Sequence, residues 1–291
     1  MPIAIKDLPC GAKIRFGKYR VGEEIPHDIK WIKVNSDDTK LFAEYVEDFR
    51  AFDARERNNP RISRRRCGNN RYSVANIDQF LNSANDVFYR PAHNYDAPPT
   101  KELTCDNMPY DNHPGFLADF NEAELNAIMP TKVIVAIPEL DDAENAYEII
   151  TRKVFLPSRT NIFGGTVRDV YEGTQWKIFQ RDDTITAKTT NEARRNPNIT
   201  DFTVDEGNNW YYWLRSPVAD DDCSARYVDR YGDDCYAGAY HGLIGVRPAL
   251  TINPEILVSD EPDEEGYYNV ILSVVELKDV SEKDFFSVIL G

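Results

Sequence analysis

The run "YYWLRSPVADDDCSARYVDRYGDDCYAGAYHGLIGVRPAL", from Tyr211 to Leu250, joins two apolar ends through a middle rich in Asp, Tyr, Cys, Arg and Gly. From Val218 to Gly245 it has no Lys, Glu, Gln, Met or Trp, although Lys and Glu are frequent elsewhere in the chain. With this composition, a window of that length should lack all five on the order of once in a hundred. One filter accounts for the absence. If the adenines of asparagine codons are replaced at random, the first two bases become anything while the third stays a pyrimidine. Such codons reach every residue type in the window and none of the five that are missing.

The two ends behave as a frame. Trp213, Leu214, Val246 and Leu250 are apolar enough to sit in a core, each large buried side chain contributing roughly 1.5 to 3 kcal/mol. Between them, substitutions that face solvent cost about 0.5 kcal/mol or less, so many can be carried at once. The candidate ligand-binding residues are therefore Asp220, Asp222, Cys223, Tyr227, Asp229, Arg230, Tyr231, Asp233, Asp234, Cys235, Tyr236, Tyr240, His241, Leu243 and Ile244, expected to be mostly exposed on one face. Tyr227, Tyr231, Tyr236 and Tyr240 suit such a surface because tyrosine offers large contact area with few rotatable bonds, while Asp and Arg add directional pairing.

The rest of the chain bounds the function. Its 291 residues, 42% of them hydrophobic, form a globular protein with a net charge of −15. That charge repels phosphate backbones and anionic headgroups. Only Arg61, Arg64, Arg65 and Arg66 cluster positive charge, and such a run reads as a solvated loop, so neither nucleic acid nor membrane insertion is expected. No stretch reaches the roughly twenty apolar residues of a membrane span, and the N-terminus has no basic-then-apolar leader pattern, so the chain is expected in the cytoplasm or a virion. Cys10, Cys67, Cys105, Cys223 and Cys235 are odd in number and make no C-x-x-C pair; they read as free thiols, with no metal or other cofactor expected. Substituting Cys223 and Cys235 by Ser is accordingly expected to cost little. The triplets "ADDDC" and "YGDDC" offer oxygen ligands but lack calcium-loop spacing, and read as solvated acidic loops. None of His27, His93, His113 and His241 lies in a catalytic motif, and no Gly-rich phosphate loop exists, so no enzymatic activity is expected.

"GAKIRFGKYRV", "IKWIKVN" and "TKLFAEYVE" alternate apolar and polar residues and predict an N-terminal β-meander. "SVANIDQFLNSA" predicts a first helix capped by Ser73, and "FNEAELNAIMP" a second, with Asn121 and Glu124 as a capping box and Pro130 as its stop. Tyr89 to Gly115 reads as a long surface excursion. The runs "KVIVAI", "KVFLPS", "WKIFQ", "YYWLRS", "GVRPALTI" and "YYNVILSVVEL" predict short strands. The order implies an α+β fold of small antiparallel sheets with two helices, a single domain over residues 1–291.

"YYWLRSP", "SARYV", "YG" and "GVRPAL" together resemble the C-terminal signature of the variable proteins of diversity-generating retroelements. "IRFGKY", "IKWIKV", "GFLADFNEAELNAI" and "KVFLPS" extend the resemblance to most of the chain, leaving out the 89–115 excursion and the tail after Leu277. It implies a C-type lectin fold, in which an N-terminal strand pairs with a C-terminal one, two helices pack beside them, and a second small sheet carries the variable region, residues 211–250. It also implies binding to a target such as a protein on a host cell surface, as in a phage receptor-binding adhesin. The Glu-Pro-Asn, Gln-Pro-Asp and Trp-Asn-Asp triads of sugar-binding lectins are absent. Formylglycine-generating oxidases share that fold and use paired cysteines, which Cys223 and Cys235 could imitate, although the neighbouring Asp221, Asp222, Asp233 and Asp234 oppose a reactive thiolate. A fixed structural virion or surface protein is the third reading.

The frame assignment has a direct test: Trp213→Ala should leave a core cavity and lower unfolding free energy by about 3 to 5 kcal/mol in denaturant titrations.

Overall fold

The computed structural model describes residues 1–22, 25–180, 185–196, 198–199 and 208–272. Strands dominate and the helices are short, giving a mixed α+β architecture. The meander read from alternation is present: Lys13–Tyr19, His27–Lys33 and Lys40–Ala43 pair antiparallel in succession. The end of the quoted stretch extends this sheet, which continues past it to Ile128–Met129 and Val154–Phe155. Ala249–Ile252 pairs antiparallel with Lys40–Ala43, setting Leu250 opposite Leu41. At the far side, Ile3–Ala4 pairs with Leu257–Val258, and Tyr268–Ile271 runs parallel to Lys13–Tyr19. The predicted strand "YYNVILSVVEL" is thus present as far as Ile271, and its part beyond residue 272 lies outside the described residues.

A second sheet of five strands carries the rest of the quoted stretch, in the order Asp234–Gly238, Ser224–Val228, Tyr212–Pro217, Gly245–Val246, Asp48–Phe49. Trp213, Leu214, Val246 and Leu250 are all completely buried. Trp213 donates its indole N–H to the Arg50 carbonyl at 2.9 Å and meets Phe52 edge-on at 5.6 Å. A separate hairpin pairs Thr131–Ala136 with Tyr147–Arg152; the latter strand was not anticipated, because it alternates between exposed and half-buried residues and shows no apolar run.

Several expectations need correction. The helix Asn76–Leu81 is not capped by Ser73, whose hydroxyl is drawn to Glu148; the buried Asp53 carboxylate accepts the Asn76 amide at 3.0 Å instead. The Arg61–Arg66 run is not a solvated loop. Ile62–Cys67 is a helix, and Arg64 is buried with Nη2 2.6 Å from Asp141 Oδ2. "WKIFQ" holds a 3-10 helix, Lys177–Gln180, because Trp176 and Phe179 both turn inward onto Phe42. The 89–115 excursion is no mere surface loop: Met108 and Tyr110 are fully buried, and Tyr110 donates its hydroxyl to the Ala51 carbonyl at 2.7 Å. His113 accepts from Arg50 at 3.1 Å, and burial together with that cation pushes its imidazole down to about 4. The helix Glu122–Ala127 does have the expected reciprocal cap, Glu124 amide to Asn121 Oδ1 at 3.0 Å and Asn121 amide to Glu124 Oε2 at 2.8 Å. Arg159–Phe163 and Asn191–Arg194 are further short helices beyond the two expected.

The two arginines of the frame are both buried. Arg215 donates to the carbonyls of Ile134, Leu156 and Glu172 and to the side chain of Asn161, joining four segments of chain. Arg247 donates to the carbonyls of Ala43 and Ile185 and lies 4.1 Å over the Phe42 ring. Lysine cannot reproduce the planar fork of donors. Arg215→Lys is therefore expected to lower stability by about 1 to 3 kcal/mol for each carbonyl left unpaired, measured by chemical denaturation.

Candidate functional site

The hairpin of Ser224–Val228 and Asp234–Gly238 stands at the edge of the five-stranded sheet. Its turn is built by Asp229, whose carboxylate accepts the amides of Tyr231 at 2.8 Å and Asp233 at 2.9 Å, with Gly232 at φ 93°. Asp229 is therefore a turn-former. Tyr231 and Tyr236 are well exposed, at 78% and 65%, and Asp220 and Asp233 are also exposed. Tyr227, Arg230, Asp234, Cys235, Tyr240, His241 and Leu243 are half-buried, as is Asp229.

Two parts of the expectation fail. Asp222, Cys223 and Ile244 are buried rather than exposed. Asp222 is held by Arg61 at 3.4 Å, and its carbonyl by Arg64 Nε at 3.0 Å, so the first acidic triplet is anchored to the basic helix rather than solvated. Nor do the candidates share one face. Side chains alternate along paired strands, and the register sets Tyr227 opposite Cys235 and Val228 opposite Asp234. Tyr227 and Cys235 thus project to one side, Asp234 and Tyr236 to the other. On that other side Asp234 is drawn into ion pairs with Arg159 at 2.6 Å and Arg226 at 3.0 Å.

The Tyr227 side opens onto a cleft of about 340 Å³, walled by Tyr211, Tyr227, Ala237, Leu243, His241 and Asp106. Tyr211 and Tyr227 meet edge-on at 5.8 Å, and Tyr227 also packs against Trp213 at 6.1 Å. Arg230 donates Nε to the Tyr211 hydroxyl at 3.0 Å, and its guanidinium lies between the rings of Tyr211 and Tyr231, 5.2 and 5.9 Å away. Tyr240 packs on His241 at 4.6 Å, with the Arg55 guanidinium 4.3 Å over the Tyr240 ring. An aromatic wall with cationic and acidic edges can take both apolar and hydrogen-bonding groups of a partner.

Tyr211 and Asp106 belong to this cleft but escaped the sequence reading. Tyr211 stands before the window of filtered residue types, and Asp106 arrives from the 89–115 excursion, which has no period. That loop is clamped against the end of the stretch. Cys105 donates its amide to the Tyr240 carbonyl at 2.8 Å, and Gly242 donates to Asp106 Oδ2 at 3.3 Å. A Cβ on Gly242 would lie 2.6 Å from both the Cys105 carbonyl oxygen and Met108 Cβ.

Two sets of donor atoms lie within 4.8 Å of one another, Cys105 with Asp106 and His241, and Asp221 with Asp222 and Cys223. The second is already engaged, Asp221 by the Cys223 amide at 2.8 Å and Asp222 by Arg61. Burial pushes the thiols of Cys223 and Cys235 upward, with nearby carboxylates adding to it. Elsewhere, a polar cleft of about 530 Å³ holds His27 2.9 Å from the buried Glu47, a pair that no sequence motif announced.

A mixed α+β domain with an aromatic cleft on a buried frame is the class these features define. Residues 36–254 match the family described as domain of unknown function DUF6273, and the chain belongs to that family. The match spans the whole five-stranded sheet and the loop that clamps it. No curated protein and no solved structure matches the chain. Among the described residues, no helix is long and apolar enough to cross a membrane.

Gly242→Ala should cost about 1 to 3 kcal/mol through overpacking against a backbone carbonyl, and should speed amide exchange at Cys105, whereas Tyr231→Ala should stay within about 0.5 kcal/mol of the parent.

Proposed function

We propose that this chain is a ligand-binding protein that presents the cleft and the hairpin tip to a macromolecular target, as a variable protein of a diversity-generating retroelement with a C-type lectin fold. The observation that carries the reading is the pairing of a fully buried frame, Trp213, Leu214, Val246 and Leu250, with an aromatic cleft to which the filtered window contributes Tyr227, Ala237, His241, Leu243 and Ile244, all types that pyrimidine-ending codons reach. The contacts of the N-terminal strand with Leu257–Val258 and the second small sheet agree with that fold. The recognition set is narrower than the sequence suggested: Tyr227, Arg230, Tyr231, Cys235, His241 and Leu243, joined by Tyr211. Asp222, Cys223, Asp229, Asp234 and Ile244 serve the fold instead.

The target is proposed to be a protein on a cell surface, and the carrier a phage virion or a bacterium. The geometry favours this over the oxidase. Cys223 and Cys235 lie four residues apart along the hairpin, about 13 Å at strand spacing, too far for a disulfide. Their thiols are also held protonated rather than activated. The buried position of Cys223 removes the expectation that it can be replaced at no cost.

Sequencing the gene from natural populations tests the reading. A reverse transcriptase gene should lie nearby, with a template repeat differing from this stretch only at adenines. Codons 227, 230, 231, 235, 241 and 243 should vary while 213, 214, 242, 246 and 250 stay constant. Absence of the repeat, or equal variation in both sets, would refute it.

A further inference from the structure

We propose that Cys105, Asp106 and His241 form a zinc site on the cleft wall of this chain, one that a variant with another residue at position 241 would lack, with a fourth coordination position left for a carboxylate, an imidazole or water. Cys105 Sγ lies 3.3 Å from Asp106 Oδ1, and His241 Nδ1 lies 3.6 Å from Asp106 Oδ2. The three donors all fall within 4.8 Å. Zinc bonds of about 2.0 to 2.3 Å at tetrahedral angles place neighbouring ligand atoms about 3.3 to 3.6 Å apart; the two short edges end on different oxygens of Asp106, so binding through one of them requires the set to close by roughly 1 Å.

The donor set selects the ion. A thiolate and an imidazole favour zinc over calcium or magnesium, which take oxygen ligands. Thiolate, carboxylate and Zn²⁺ together carry no net charge, which lowers the cost of holding them in a half-buried site. Three protein ligands make an open site rather than a closed structural one. Asp106 and His241 both line the cleft, so an incoming ligand has a route to that position.

The supporting contacts hold the ligands in place without the metal. The Gly242 amide donates to Asp106, the Cys105 amide is tied to Tyr240, and the Tyr240 ring packs on His241. Burial and the adjacent Asp106 push the Cys105 thiol up, while Asp106 is held below the usual carboxylate range chiefly by its contact with His241. Zinc must therefore displace the thiol proton into solvent, and its affinity falls as pH falls.

Only the use of the open position by a target rests on the display reading; metal binding by the chain alone does not. The full chain, stripped with a chelator, is titrated with zinc by calorimetry and with cobalt(II) by absorbance. One equivalent per chain is expected, with a thiolate-to-cobalt charge-transfer band and proton release. The band should vanish in Cys105→Ser, affinity should fall at least tenfold in His241→Ala, and Cys223→Ser should change neither. The absence of saturable binding by the parent chain would overturn the proposal, as would a band that survives Cys105→Ser or one lost in Cys223→Ser instead. Because the parent titration uses the native fold, a misfolded variant cannot rescue the proposal. Failure here would leave the codon-variation test of the display reading untouched.

Discussion

The guanidinium of Arg215, sunk among backbone carbonyls, is the constraint on which the five-stranded sheet depends. Three of its four acceptors are the backbone carbonyls of Ile134, Leu156 and Glu172, and those bonds use no side chain that substitution could remove. Glu172 is itself buried and accepts the Ala136 amide and the Ser216 hydroxyl, so the strand after Trp213 is fixed from both of its polar neighbours. A buried charge satisfied by backbone is costly to disturb and indifferent to what the neighbouring surface carries. Arg247 plays the same part at the other end of the stretch, against Phe42 and Tyr212.

The acidic residues between those ends do more structural work than their exposure in sequence suggests. Asp222 faces Arg61, Asp234 faces Arg159 and Arg226, and Asp229 folds the turn. A short carboxylate is well suited to each task, since it accepts several hydrogen bonds over a small radius. What remains on the cleft side is mostly aromatic and cationic, the composition that concentrates binding energy in protein interfaces.

Much of the fold was legible where period and caps were strong. The meander, the Asn121 and Glu124 cap and the buried frame follow from alternation, local hydrogen bonding and apolar character, all of which act over a few residues. The failures share a cause. Ser73 lost its capping role to Asp53, and the Arg61–Arg66 run became a helix because Asp141 and Asp222 approach from elsewhere in the chain. Tyr110 and Asp106 lie in a segment without period, and only tertiary contacts give them their roles. Which way the residues of the stretch face was not legible, because facing depends on strand register, which composition does not encode.

That register has a consequence for how this hairpin can change over time. Tyr227 opposes Cys235 on the cleft side, while Asp234 turns toward Arg159. Adding or deleting one residue in either strand would exchange the two sides, setting a carboxylate among the rings and a tyrosine against a guanidinium. The hairpin can therefore be rewritten letter by letter but cannot be lengthened or shortened by one, and any process that alters it must conserve its length while it changes its content.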